Sequence, residues 1–182
     1  NEEVTNNLIG PNWAQQITQQ GLIALVVFLS LVALMIAIYF RNWKMSAAAL
    51  IALLHDLIVT IGVYAILQFA FTPATLIGVL TILGYSLYDT VVVFDKVRDN
   101  TTDITKQSRT LATASNLAIN QVLVRSINTT IIGVLPVAAL LAAGVFILGT
   151  GPLKDLGLAM FVGMIAGAYS SLFLAAPMFV QM

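Results

Sequence analysis

Asp89 sits in the run Gly84-Tyr85-Ser86-Leu87-Tyr88-Asp89-Thr90-Val91-Val92-Val93-Phe94, inside a stretch that stays apolar from Pro73 nearly to Lys96. A helix built from that stretch has no evident way to hold the carboxylate in bulk water. An ionisable group at such depth in a membrane is costly and faces a partner or a wet cavity, which makes it a functional candidate by default. Asp56 occupies the preceding apolar run and Arg125 lies near the start of the following one. The chemistry these types offer is proton uptake. Burial disfavours an ionised carboxylate and a neighbouring guanidinium favours it. A site where Arg125 approaches and retreats therefore switches Asp89 between its charged and neutral forms. The competing reading is a static buried salt bridge, which is weak support for stability because desolvation offsets much of the attraction.

Depth along each helix brings the three groups within reach. Asp89 is nine residues before Arg98, about 13 Å along a helix, and Asp56 is twelve after Lys44, about 18 Å. Arg125 is eight residues after Leu117, about 12 Å if a helix starts there. At helical spacing Asp89 has Tyr85 and Ser86 as neighbours, with Thr90 next to it. Their hydroxyls are expected to hydrogen-bond the carboxylate or hold water. Around Arg125 the same spacing gives Gln121, Asn128 and Thr129, a polar stripe on an apolar helix. His55 precedes Asp56, but adjacent helical residues point about 100° apart, so a His55–Asp56 dyad is not expected. His55 reads either as a weaker relay member or as a polar core residue. Asp95, close to Lys96 and Arg98, reads as an interfacial charge.

The elements that must position these groups are set by composition. The chain has 182 residues, is 59% hydrophobic and 9% charged, and has a mean hydropathy of +0.96. Soluble domains carry roughly 25% charged residues, so an all-α polytopic membrane bundle is predicted. Eight basic residues balance eight acidic ones, which argues against nucleic acid as a partner. No cysteine and a single histidine leave no disulfide, no thiol chemistry and no metal cluster to assemble. An enzyme is not expected, nor is a cofactor. The acidic start Asn1-Glu2-Glu3 lacks an initiator Met and does not resemble a signal peptide, so the chain is expected to be part of a longer product.

Five segments are long and apolar enough to span, at about 20 residues each: 20–40, 46–70, 74–97, 118–148 and 154–180. The bounding signals are Gly10-Pro11, Arg41 to Lys44, Thr72-Pro73, Asp99 to Arg109, and Gly149 to Pro152. Residues 1–19 are read as an external segment and 20–182 as the transmembrane domain. Alternating spans put Arg41, Lys44, Lys96, Arg98, Lys106 and Arg109 on one side and Lys154 alone on the other. The excess of basic residues marks the cytoplasmic face, so the N-terminus is expected outside and the C-terminus inside. The polar stretch 99–117, with Ile104, Leu111 and Leu117, reads as a cytoplasmic loop, either a short amphipathic piece or a solvated linker.

The last span carries Ala159, Gly163, Gly167, Ser171 and Ala175 at every fourth position. Small residues let membrane helices approach closely, so this reads as a packing ridge toward another span or a second subunit. Pro136 removes the donor to the Ile132 carbonyl and, with Gly133 and Gly144, marks a possible bend or hinge.

The run from Gly84 through Asp89 to Asp95-Lys96-Val97-Arg98 resembles the motif of the SecF family, membrane subunits of the SecD–SecF accessory complex of bacterial protein export, within the resistance-nodulation-division superfamily. Leu54-His55-Asp56 is similar to that family's third span, Asn120-Gln121 with Arg125-Ser126 to the start of its fifth, Gly10-Pro11 to the return from its external domain, and Lys154-Asp155-Leu156 to Ser171 to its last span. The resemblance implies a fragment covering spans two to six of six, without the first span and most of the external domain. It also implies that Asp89 and Arg125 stand where the family places proton-transport residues. Tyr88 departs from the Asn common before the motif's aspartate and leaves the carboxylate in place.

The implied function is a proton-driven auxiliary subunit of the Sec translocase in the bacterial inner membrane. It would act with a SecD-like subunit, the SecYEG channel and the SecA motor, and reach unfolded preprotein through the missing external domain. Membrane lipid is the remaining partner. The alternatives are a scaffold subunit whose buried charges only orient its spans, and an exporter of small apolar solutes.

Overall fold

The helices begin and end where capping residues or positive-φ positions interrupt the apolar runs. The computed structural model describes residues 11–102, 110–147, 149 and 151–181. The boundary read at Gly10, the basic residues Lys106 and Arg109, and residues 103–109 of the polar loop, Ile104 among them, lie outside the described residues. Helix α1 spans Pro11–Phe40, α2 Trp43–Ile66, α3 Pro73–Thr101, α4 Leu111–Phe146 and α5 Pro152–Ser170. A π-helical turn, Ser171–Ala175, then leads into α6, Ala176–Gln181. Counting the last three pieces as one span, five helices among the described residues are long and apolar enough to cross a membrane.

Local chemistry sets these bounds. Asn42 caps α2 by accepting from the Lys44 backbone N–H, and Arg41 just before it has φ 50°. Thr72 and Thr75 form a reciprocal capping box at α3, with Pro73 in its first turn, so two orphan backbone donors are satisfied. Thr110 caps α4 through the Thr113 N–H. Three expected bounds shift as a result. Residues 11–19, read as external, are helical and continuous with α1, because no breaker follows Pro11. Helix α2 ends at Ile66 short of the expected 70, with Gln68 at φ 54°. Helices α3 and α4 both run into the stretch read as a loop over 99–117.

Helix α3 and the last span form the centre of the bundle, and α1 and α4 flank them. The small-residue ridge of the last span turns inward onto α3. A methyl group placed on Gly163 would lie 2.6 Å from Ile82, and one on Gly167 2.9 Å from Ser86. Glycine is needed there because any Cβ would force the backbones apart. Ala159 and Ala175 are fully buried along the same ridge. Gly133 packs against the Tyr85 hydroxyl and Gly144 against the Lys154 backbone. Helix α4 continues through Pro136 as α-helix, so both glycines serve close approach.

At the end bearing Arg41 and Arg98, Phe94 packs against Phe40 and Phe179, with ring centroids 6.1 Å apart in each pair. At the opposite end the Tyr64 hydroxyl donates to the Asp155 backbone carbonyl at 2.7 Å, and Thr72 Oγ1 donates to the Asp155 carboxylate at 2.9 Å. These contacts join α2, α3 and α5 above the middle of the bundle. Without a hydrophobic driving force in lipid, such packing and hydrogen bonds hold the helices together.

Candidate functional site

Asp89 on α3 points into the bundle and is 7% exposed. Its Oδ2 accepts from Ser126 Oγ of α4 at 2.7 Å and from Ser171 Oγ, the first residue of the π-helical turn. Three helices therefore meet on one carboxylate oxygen.

Asp56 on α2 is buried more deeply, at 1% exposure. Ser86 Oγ of α3 donates to its Oδ2 at 2.5 Å. His55 Nδ1 stands 3.3 Å from Asp56 Oδ1, which corrects the expectation that the two residues would diverge. Successive helical positions do diverge at Cβ, but the short Asp side chain and the rotatable imidazole swing together. His55 remains 33% exposed, on a groove between α2 and α5 bordered by Val59, Phe161 and Tyr169.

The expected Asp89–Arg125 pair is not formed. Arg125 points out of the bundle, and its Nη2 donates to the Tyr88 hydroxyl at 3.4 Å. The helical step explains it. Arg125 and Ser126 are adjacent on α4, as Tyr88 and Asp89 are on α3, so each pair diverges by about 100°. Ser126 and Asp89 share the inner seam; Arg125 and Tyr88 share the outer face. Among the described residues no lysine or arginine forms an ion pair with either buried carboxylate.

The supporting residues also fall elsewhere than expected. Ser86 serves Asp56, and Tyr85 donates to the Thr129 backbone carbonyl at 2.9 Å. Thr90 and Thr129 bond back to the carbonyls of Ser86 and Arg125 on their own helices. Gln121 accepts from Asn100 at 3.0 Å, and Asn128 is exposed. Neighbours three or four residues away on one helix stack along it, whereas the Asp89 side chain reaches across to other helices. Asp95 is exposed.

Sequence reasoning missed the hydroxyls that matter most. Ser126 lies one residue past Arg125, and Ser171 read as part of the packing ridge. The available signal was Ser170-Ser171, two adjacent hydroxyls within an apolar span, where polar side chains tend to bond across helices. Together the site holds two buried carboxylates, Asp89 supplied by serine hydroxyls from two other helices and Asp56 by one from α3. A hydroxyl both donates and accepts, so it satisfies either an ionised or a protonated carboxyl. This arrangement accommodates a change of protonation without leaving a buried polar atom unpaired.

The sequence profile of the family described as "Protein export membrane protein SecD/SecF, C-terminal" matches residues 1–182. The chain belongs to the SecD/SecF family. It is 52% identical to the protein translocase subunit SecF of Streptomyces coelicolor, over 97% of this chain and 48% of that protein. It is 51% identical to the protein translocase subunit SecF of Mycobacterium tuberculosis, over 100% of this chain and 41% of that protein. The crystal structure of SecDF, a translocon-associated membrane protein from Thermus thermophilus, superposes with a TM-score of 0.83 at 34% identity, covering 94% of this chain and 23% of that one. The chain thus spans less than half the length of these SecF relatives and corresponds to the C-terminal membrane portion of a SecF-type protein. Its helices are those of a multi-pass membrane protein with the SecD/SecF architecture.

Proposed function

We propose that this chain is the membrane part of an auxiliary subunit of the bacterial Sec translocase, coupling proton movement across the inner membrane to preprotein export. The observation that carries the proton reading is Asp89: a carboxylate buried within a span, held by serine hydroxyls from α4 and the last span, with no lysine or arginine among the described residues paired to it. Its ionised form accepts from both serines. Its neutral form donates to one of them, so a proton exchanges hydrogen-bond direction across a seam of three helices. Asp56, with His55 partly open beside it, is the second acid of the route. Protons come from outside, and the helix shifts act on the external domain that grips preprotein. No covalent catalysis and no cofactor take part.

The outer face supports a SecD-like partner. Arg125, Asn128 and the 55%-exposed Tyr88 form a polar stripe on a surface otherwise suited to lipid. An arginine at that depth requires polar or acidic company, and a neighbouring membrane subunit supplies it. Lipid covers the apolar faces, such as Leu22, Val26 and Leu34 of α1. The basic residues Arg41, Lys44, Lys96 and Arg98 favour a cytoplasmic position for their end of the bundle, with the C-terminus inside. The SecYEG channel and SecA are the remaining partners.

Asp89→Asn in the full-length subunit tests this reading. Export in inverted vesicles should lose its dependence on the proton gradient, while membrane insertion and co-purification with the partner persist. If partner binding fails first, the acid is a scaffold element; if gradient dependence survives, it carries no protons.

A further inference from the structure

One end of the bundle holds cationic side chains that the buried acids do not use. Arg41 sits in the turn between α1 and α2, and Arg98 in the last turn of α3. Packing brings these distant positions to one corner. Phe40, the residue before Arg41, is buried against Phe94, which lies one turn before Arg98, with ring centroids 6.1 Å apart. Arg98 Nη1 lies 3.5 Å from the Tyr39 backbone carbonyl, in the last turn of α1. Tyr39 and Arg41 are two residues apart, which limits their α-carbons to about 7.6 Å. A phosphate-sized group at this corner is therefore within reach of both guanidinium groups.

The turn that carries Arg41 is held in place. Ser46 Oγ donates to the Ala33 carbonyl at 2.8 Å, tying the first turn of α2 to α1, and Asn42 caps α2. Arg41 takes φ 50° there. A left-handed residue at a helix end is ordinarily glycine, because a Cβ is strained in that conformation. Strain of this kind clusters at functional positions. The guanidinium of Arg41 is thus presented at a cost that glycine would avoid.

Neither arginine forms an ion pair with a carboxylate among the described residues. The acidic groups at this end are Asp95, which is exposed, and Asp99, 3.9 Å from Lys96. An arginine presents five N–H donors in a planar fork that matches phosphate oxygens. One donor of Arg98 faces the Tyr39 carbonyl, which leaves the rest of its fork for a ligand.

The surroundings of the pair suit a lipid. Trp43 is 71% exposed, and Tyr39 and Ile38 are exposed beside it. Trp and Tyr settle at the headgroup level of a bilayer. Leu34, one turn before Ile38 on α1, continues the exposed apolar surface away from the charged end. Basic pockets between membrane helices hold acidic headgroups. A free phosphate ion would engage the arginines alone, whereas a phospholipid engages the apolar side chains as well.

We infer that Arg41 and Arg98 form a binding site for the phosphate of an acidic phospholipid, in the leaflet at this end of the bundle, with an acyl chain along Ile38 and Leu34. The site is separate from the proton route and does not depend on it.

The test uses the full-length subunit with its partner in detergent micelles, titrated with phosphatidylglycerol or phosphatidylcholine, with bound lipid counted by native mass spectrometry. The wild type should bind phosphatidylglycerol at least about tenfold more tightly than phosphatidylcholine. Arg41→Gln/Arg98→Gln should reduce the phosphatidylglycerol affinity by about 30-fold, from roughly fivefold per basic group at a membrane surface. Arg41→Gly, which suits the left-handed turn, should lose about fivefold, and serves if the double variant does not assemble. Lys96→Gln removes equal charge from the same end and should change the affinity by less than about twofold. Equal binding of the two lipids by the wild type overturns the inference, as does an unchanged preference in the arginine variants. A fivefold loss in Lys96→Gln overturns it too, since the attraction is then a diffuse surface potential. Displacement of phosphatidylglycerol by inorganic phosphate at equal concentration would assign the arginines to a free anion and overturn the lipid reading.

Discussion

Ser126 Oγ lies 2.7 Å from the Asp89 carboxylate, while the guanidinium of the preceding residue, Arg125, turns outward to Tyr88. One step along α4 thus separates an inner hydroxyl site from an outer cationic one. The two surfaces have different tasks, and substitutions distinguish them.

Ser126→Ala removes one of the two hydroxyl donors to Asp89. A hydrogen bond to a charged group is worth roughly 1.5–3 kcal/mol, and the loss should appear in detergent unfolding at a pH where the acid is ionised. Gradient-dependent export should fall with it. Ser126→Thr, which retains the donor, should recover most of both. An unchanged unfolding midpoint in Ser126→Ala would show that the contact contributes nothing.

Arg125→Met should behave in the opposite way. Among the described residues its side chain bonds to an exposed tyrosine hydroxyl and no other group, so the stability of the isolated subunit should change by less than about 0.5 kcal/mol. Association with the partner subunit should weaken, together with gradient-dependent export. Co-purification at graded detergent concentration measures this. A large loss of stability without loss of partner would contradict the outward placement.

Gly163→Ala puts a Cβ 2.6 Å from the Ile82 side chain. Overpacking of this kind costs roughly 1–3 kcal/mol. Ile82→Val opens space at the same contact, so the double variant should be more stable than the sum of the single effects. A double-mutant cycle on thermal unfolding reads the coupling, expected at about 0.5 kcal/mol or more.

Thr72→Ala removes both the α3 cap and the bond to Asp155. Loss of an N-cap costs about 0.5–2 kcal/mol, and the lost tertiary bond adds to it. Thr72→Ser keeps the hydroxyl that makes both contacts and should restore stability. Hydrogen exchange at the amides of Thr75 and Leu76 should rise in Thr72→Ala alone.

The bundle was legible because its spans are marked by uninterrupted apolar runs and by caps such as Thr72 with Pro73. The acids were legible too: Asp56 and Asp89 stand out in any apolar stretch, and both are buried. Their partners were not, because a hydrogen bond across helices depends on rotation and register, and no single-helix spacing encodes those. Spacing along α3 pointed Ser86 at Asp89, whereas packing sends it to Asp56. Charge drew attention to Arg125, while the adjacent neutral Ser126 makes the contact. Ser171 reads as a small residue for packing, since nothing in an every-fourth pattern separates a spacer from a donor. The π-helical turn, whose first residue Ser171 reaches Asp89, has no marker in the sequence.

The depth of Asp89 within its span has an electrical consequence. Asp89 lies about 13 Å along its helix from the Arg98 end, so on the proposed route a hydrogen ion arriving from the far face would cross roughly half of the transmembrane voltage. Charge movement across the full potential is worth about 2.3 kcal/mol per 100 mV, which leaves about 1 kcal/mol for half of it. If Asp89 carries protons as proposed, voltage and acidity are interchangeable in loading this site, and an applied potential at equal pH on both faces should shift its occupancy.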